Sequence, residues 1–532
     1  PNTKTTPIFR TKQDAELTAK IYSRVPVLVN EEKEQNPWGI SFMRMFDMSN
    51  DSNLFRTEDE LSEAGYQLRG NRFIHGEDIW LPLYESKMIW HYDHRFGTYE
   101  GVESRTSTQT PTPTEEQYQN PGLKIKPWYW VEQREVIFII SDCPQKLKEA
   151  WKNLDLGKAI AYKRVWLAGF WLQRNDRNKA LGLIKKAAEV LAISEQTLKN
   201  FSKEWSKQYL LSFDDEAELS EIISLKALEE FIFDRSPKWF LVFRNITNTT
   251  NERSAIFSLA PLSAVGHSLP LVFSSAWRSL FSILSAQTTS IVYDYVVRQK
   301  LGGTNMTYGY LNQFTILAPA LVSEEMKKLL LPLQAELVYT SWDIKAFADD
   351  LWKEADDELK AALKKQWQEN QAATGGHEWV IPDWADAYPE IEWEREKGCP
   401  LPPFKWDEDR RAQLKAELDA YFALIYGLER DELRYILDPQ DVYGKEFPGE
   451  TFRVLKNKET KKYGEYRTRR LVLEAYDRLR PTWDMEAHLA KLKEIWEECQ
   501  VDLSGKNQNE VKASNEKSAQ KPQNPAQSKM EL

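Results

Sequence analysis

A chain of 532 residues with a formal net charge of −10 and a pI near 5.5 is too acidic to coat nucleic acid or anionic membrane as a polycation, so any nucleic-acid site on it has to be a local basic patch. With 42% apolar and 29% charged residues it is an ordinary globular chain, long enough for about two to four domains, and its 20 tryptophans are more than a core needs, which points to indoles in binding walls. Three cysteines far apart in sequence, Cys143, Cys399 and Cys499, exclude a disulfide framework and a zinc motif of paired short spacings, and fit a reducing, cytoplasmic setting.

The chain starts at Pro1 with neither an initiator Met nor a signal-peptide pattern, which reads as a fragment of a longer protein. The spacing of Leu17, Ile21 and Tyr22 predicts a short helix over Gln13–Val25, followed by the polar linker "NEEKEQ". Residues 1–30 therefore look like the end of an upstream domain. Residues 36–131 are dense in aromatics and turn formers and predict irregular β structure with long loops, including a Thr/Pro/Gln-rich loop over 104–120. The continuous apolar run "REVIFIIS" (134–141) predicts a buried strand, and Lys, Ala, Leu and Glu at helical spacing predict a helical insertion at about 145–233.

"KWFLVFRNIT" and "ERSAIFSLAP" flank an Asn/Thr turn at 245–251 and predict a hairpin with a polar tip. The most apolar segment, Ala255 to Ala286, is broken by His267, Arg278 and several serines, which makes it a poor membrane span. The β region ends near Pro319. Residues 324–370 read as charged helix and 375–407 as a Trp/Pro/Gly-rich connector. Then comes a helix whose Leu414, Leu418, Tyr421, Phe422 and Ile425 share one face and which Gly427 ends. The whole predicts an α+β fold: a mixed β domain over 31–323 with the helical insertion, a helical C-terminal region over 324–502, and a disordered polar tail over 503–532.

Two loops carry side chains suited to reading DNA. The hairpin tip offers Arg244, Asn245, Asn248, Asn251 and Arg253, the residue types that pair with guanine and adenine edges; the alternative is a polar turn satisfying its own backbone. In "RQKLGGTNMTYGYLNQFTILAP" (298–319), Arg298, Gln299 and Lys300 suit phosphates, Gly302 and Gly303 permit close backbone approach, and Thr304 and Asn305 suit hydrogen bonding; the alternative is a plain Gly-Gly turn. The segment 453–480 holds ten Lys/Arg against four Asp/Glu, which fits a phosphate track or a helix whose basic face pairs with the acidic segments 345–358 or 386–396. His91 and His94 in "WHYDHRF" suit a metal only on a helix, with Asp93 or Glu77 added; packing is the alternative.

Catalytic motifs are missing. A DNA amino-methyltransferase needs a glycine-rich strand-to-helix turn for S-adenosylmethionine and an Asn-Pro-Pro-aromatic or Asp-Pro-Pro-aromatic loop, and "NPWG" at Asn36 has Trp38 where the second proline belongs. Glu31-Glu32-Lys33 and Glu358-Leu359-Lys360 match the Glu-x-Lys of a metal-dependent nuclease, but both lie in charge-dense stretches typical of solvated surface.

The order of "PNTKTTPIFRTKQDAELTAKIYSRVPVL", "NPWGISFMRMFDMSNDSNLFRT", "FIHGEDIWLPLYESKMIWHYDHRFGTYEG", "RNITNTTNERSAIFSLAPLSAVGHSLPLVF", "VYDYVVRQKLGGTNMTYGYLNQFTILAP" and "ELDAYFALIYGLERDELRYIL" resembles the C-terminal part of large N6-adenine DNA methyltransferases, of the type IIG-like restriction-modification and DISARM-type phage-defence classes. The resemblance runs to about residue 500. It implies a target recognition domain over 31–323 and a helical C-terminal region, with S-adenosylmethionine bound by a catalytic domain outside this sequence, in the same or a separate chain. It further implies double-stranded DNA as partner, no membrane, and no catalytic, cofactor or metal residue in this chain. The hairpin tip and the Gly-Gly stretch would lie side by side, with Arg244, Asn248, Asn251, Arg253, Arg298, Lys300, Thr304 and Asn305 contacting DNA. A metal-dependent nuclease and a non-catalytic scaffold of a defence complex are the rival readings.

Overall fold

A computed structural model describes residues 9–105, 110–211, 224–276, 278–447 and 451–494. The predicted disordered tail lies outside the described residues. Within them the protein is α+β, with mainly antiparallel sheets and a helical C-terminal region, and no helix is long and apolar enough to cross a membrane.

The strands are β1 (Ser41–Met43), β2 (Phe55–Arg56), β3 (Gln67–Arg69), β4 (Arg72–His75), β5 (Asp78–Tyr84), β6 (Trp130–Glu132), β7 (Trp239–Phe243), β8 (Phe257–Pro261), β9 (Ala264–Val265) and β10 (Leu271–Phe273). One sheet runs β1-β10-β7-β8 and the other β2-β6-β5-β4-β3, with β9 added in parallel to β5. The predicted hairpin is β7 and β8, in register from Trp239↔Pro261 to Phe243↔Phe257.

Both faces of that hairpin are buried, and the period of two decides which residue goes where. Trp239, Leu241 and Phe243 face one core, while Phe240 and Val242 face a second. A strand covered on both sides reads as an unbroken apolar run, and "WFLVF" is one. The same logic misleads at 134–141. That stretch is a helix, α2 (Gln133–Ile140), with Val136, Ile137 and Ile140 buried at helical spacing. An unbroken apolar run has no period of its own, so the choice falls to tertiary packing rather than to pattern.

The second core holds the helical insertion, α3 (Gln145–Lys152), α4 (Leu156–Gln173), α5 (Arg177–Leu191), α6 (Glu195–Gln208) and α7 (Leu225–Asp234). Asp155, Asp176, Ser194 and Ser224 cap four of these helices, each accepting from the backbone N–H three residues on. The α4 and α6 backbones meet at Gly169, where any Cβ would overlap the carbonyl of Ser202. Gly169→Ala is therefore expected to lower stability by about 1–3 kcal/mol despite alanine's higher helix propensity, since the two backbones must separate. A thermal melt checks it; an unchanged or raised midpoint contradicts the close approach.

The first core gathers the N-terminal helix α1 (Lys12–Arg24) with α8 (Arg278–Thr288), α9 (Ile291–Lys300), α10 (Glu324–Val338), α11 (Lys345–Glu354), α12 (Asp357–Thr374), α13 (Glu408–Ile425), α14 (Arg430–Leu437), α15 (Arg453–Tyr463) and α16 (Arg467–Leu479). It is continuous across residue 323. Helix α1 is tied in by Asp14, which accepts from the hydroxyls of Tyr295 and Tyr435 at 3.0 Å each, and by the Lys20–Glu432 ion pair. All five apolar residues predicted to share a face of α13 are buried, and Gly427 follows the helix at φ +69°.

Candidate nucleic-acid interface

The hairpin tip and the Gly-Gly stretch are stitched edge to edge. Ile246 bridges to Asn305, the Thr247 N–H donates to the Thr304 carbonyl at 2.9 Å, and the Met306 N–H donates to the Asn245 carbonyl at 2.8 Å. Within the tip, the Thr247 hydroxyl donates to the Ser254 carbonyl and the Ser254 hydroxyl to the Asn248 carbonyl, closing the loop on itself. Two segments some 50 residues apart thus form one composite surface.

A buried carboxylate anchors it. Asp294, on α9, is fully buried and accepts from Arg253 Nε at 2.6 Å, Arg298 Nε at 3.3 Å and the backbone N–H groups of Ser254 and Ala255. Burial by itself would raise the carboxyl, but Arg298, Arg253 and the Ser254 N–H outweigh it and hold Asp294 below the usual carboxylate range. The rest of the Arg298 guanidinium donates to the carbonyls of Thr249, Asn251 and Glu252 at 2.9–3.0 Å, and to Thr451. It works as an internal clamp on the tip.

The predicted contact residues therefore divide. Arg253 and Arg298 are turned inward onto Asp294, with side chains 13% and 4% exposed. Arg244 donates to the Ile89 carbonyl beside the rings of Trp90 and Phe96; burial pushes it down to about 10, still a cation at neutral pH. These three arginines, predicted as DNA contacts, are thus turned onto acceptors within the protein. A buried guanidinium needs acceptors, and here the protein supplies them. Asn245 is buried, and the Asn248 side chain accepts from the backbone and hydroxyl of Thr250, the self-satisfied turn that was the alternative. Asn251, Thr304 and Asn305 are exposed, as are Gly302 and Gly303, and half-buried Lys300 sits with its amine 4.6 Å from the Tyr22 ring.

The pattern in sequence missed two neighbours. Tyr308 stacks on Phe42, with centroids 4.8 Å apart and planes within 7°, and exposed Arg44 lies 5.8 Å from the Tyr308 ring. Only the fold brings the β1 region beside residue 308. Ile246, 61% exposed at the seam of the two loops, was also overlooked.

The other candidates resolve into structure. The basic segment 453–480 is heavily paired, but with partners other than the predicted acidic segments: Lys456 and Arg469 with Asp438, Lys458 with Glu252, Arg467 with Asp409 and Arg478 with Glu417. His91 and His94 lie in a tight turn closed by a Trp90–Asp93 bridge, not on a helix, and His94 pairs with Asp343 at 3.1 Å. Glu31 accepts from Asn312, Glu358 pairs with Lys328, and among the described residues no group of three or more metal-ligating side chains forms. Trp38 of "NPWG" is buried and donates its indole N–H to the Leu317 carbonyl, so that turn is part of the core.

No family model, no curated protein and no solved structure matches this chain. Its class therefore rests on the fold itself: an α+β protein with antiparallel sheets, a helical C-terminal region and a polar composite loop surface clamped from within.

Proposed function

We propose that this chain reads double-stranded DNA for a site-specific adenine-N6 DNA methyltransferase of restriction-modification or phage-defence type, working in the cytoplasm. The observation that supports this best is the composite tip, in which Arg298 and Asp294 hold a loop from beneath while Asn251, Thr304 and Asn305 face outward. Side chains fixed on a rigid base lose little entropy when they meet a base edge, and amide groups there supply both donor and acceptor. Ile246 offers an apolar contact for a thymine methyl, Gly302 and Gly303 let a phosphate approach the backbone, and Arg44 and Lys300 add charge.

S-adenosylmethionine and the transfer chemistry are assigned to a catalytic domain in the same or a separate chain. The two Gly-Gly pairs, 302–303 and 375–376, both follow helices instead of opening one after a strand, so neither forms the glycine-rich turn that the cofactor calls for.

Fluorescence anisotropy with duplexes of random and selected sequence tests the reading. Asn251→Ala and Asn305→Ala are expected to relax discrimination at single base pairs, each by about 1–3 kcal/mol. Arg44→Ala and Lys300→Ala should weaken all sequences alike and lower the salt slope by about one charge each. Absence of duplex binding at low salt would sink the proposal.

A further inference from the structure

A cleft of about 410 Å³ opens between the turn at 90–96, the base of the hairpin tip at Glu252 and Arg253, and helices α13, α15 and α16. That volume lies in the range of about 300–1,000 Å³ typical of small-molecule sites. Two features of it are unexplained by folding. His91 is 4% exposed, lines the cleft, and has no hydrogen-bond partner at either ring nitrogen among the described residues. An unsatisfied buried polar group is costly, so two on one ring mark a place where a ligand's polar atoms belong.

Lys415, on α13, lines the same cleft and forms no ion pair among the described residues; burial first, and then Arg411, push its amine down to about 8. Burial, followed by the charges of Arg253, Lys415 and Arg244, keeps His91 neutral, with one donor and one acceptor nitrogen.

The acids in the lining are mostly engaged. Glu252 pairs with Lys458, Glu459 accepts from Thr468, Asp419 accepts from the Ile291 N–H, and Asp93 accepts from the Tyr118 hydroxyl. The walls are aromatic: Trp90 stacks on Phe96 at 5.2 Å and Tyr118 on Trp406 at 4.0 Å. Flat apolar walls, a donor–acceptor imidazole and an unpaired amine together describe a ligand with a planar heterocycle and an anionic group.

We infer that the cleft binds a free mononucleotide, its base between the aromatic walls with a polar edge at His91, and its phosphate at Lys415. The inference does not rest on the DNA reading. Titration calorimetry of the whole chain with the four ribonucleoside monophosphates, with inorganic phosphate and with nucleosides tests it. At least one nucleotide is expected to bind, and Lys415→Met and His91→Phe are each expected to weaken it by about tenfold or more. Lys415→Met should also hold or raise the melting temperature, because an amine without an ion-pair partner is replaced by a side chain of similar length; that variant keeps the test sound if His91→Phe fails to fold. No heat with any nucleotide at millimolar concentration, binding equal in wild type and both variants, or inorganic phosphate binding as tightly as every nucleotide would each overturn it.

Discussion

Asp294→Ala is expected to destabilise the protein by about 3–5 kcal/mol and to abolish the composite loop surface. The carboxylate has no exposed area and is the shared counter-charge of Arg253 and Arg298, so its removal leaves two desolvated guanidinium groups facing each other. It also orphans the N–H groups of Ser254 and Ala255, just before the return strand β8. Urea titration reads the stability, and amide exchange across 247–254 reads the loop. Both should change; a loss under 1 kcal/mol with unaltered exchange would show that the arginines find other acceptors.

The pH dependence of this cluster follows from the direction of the Asp294 shift. A carboxyl held below its unfolded value of about 3.9 stabilises the fold at all pH above that value, and the contribution is lost as pH falls through the folded value. The Asp294 contribution to loop order should thus be flat from neutral pH down to about pH 4 and be lost only in stronger acid, whereas Asp419, raised to about 6 by burial, titrates within that range. DNA binding lost already between neutral pH and pH 5 would implicate some other group.

Glu390→Ala is the second large effect, again about 3–5 kcal/mol, by the same physics at a different junction. Arg72 and Glu390 have side chains each 1% exposed and pair bidentately. The guanidinium lies 3.8 Å from the Tyr388 ring centroid and donates to the Ala387 carbonyl at 2.9 Å, which fixes β4 to the 375–407 connector. Burial favours the neutral arginine, but Glu390 more than offsets it, so Arg72 is charged when folded and stranded when its partner goes. The double variant Arg72→Met/Glu390→Leu should recover most of the loss, because an apolar pair has no desolvation cost to repay. If the double variant is as unstable as the sum of the two singles, the pair is not coupled in this way.

Elements with a clear period were legible without the fold. Leu17 and Ile21 announce α1, the Asn/Thr tip between two apolar runs announces the β7–β8 hairpin, and Lys, Ala, Leu and Glu at helical spacing announce the insertion. "REVIFIIS" had no period and was misread. The candidate interface was half legible: composition marked both loops, but an arginine that reads a base and an arginine that clamps a loop look alike in sequence. One signal for the difference was present. Asp294 is a lone acid in the apolar run "IVYDYVV", four residues before Arg298, and a buried carboxylate there demands a cation.

By itself the sequence determined the α+β class, the hairpin, the helical insertion and the two loops rich in Asn, Thr and Gly, because periodicity, caps and turn chemistry act over a few residues. Only the tertiary structure decided which charges are spent inside. Arg253 and Arg298 go to Asp294, Arg72 to Glu390, and Lys415 and His91 line a cleft, Lys415 without an ion-pair partner and His91 without a hydrogen-bond partner among the described residues. Those pairings join residues from about 40 to over 300 positions apart, except Arg298 with Asp294; charge is a property of the residue, but desolvation and partner belong to the packed whole.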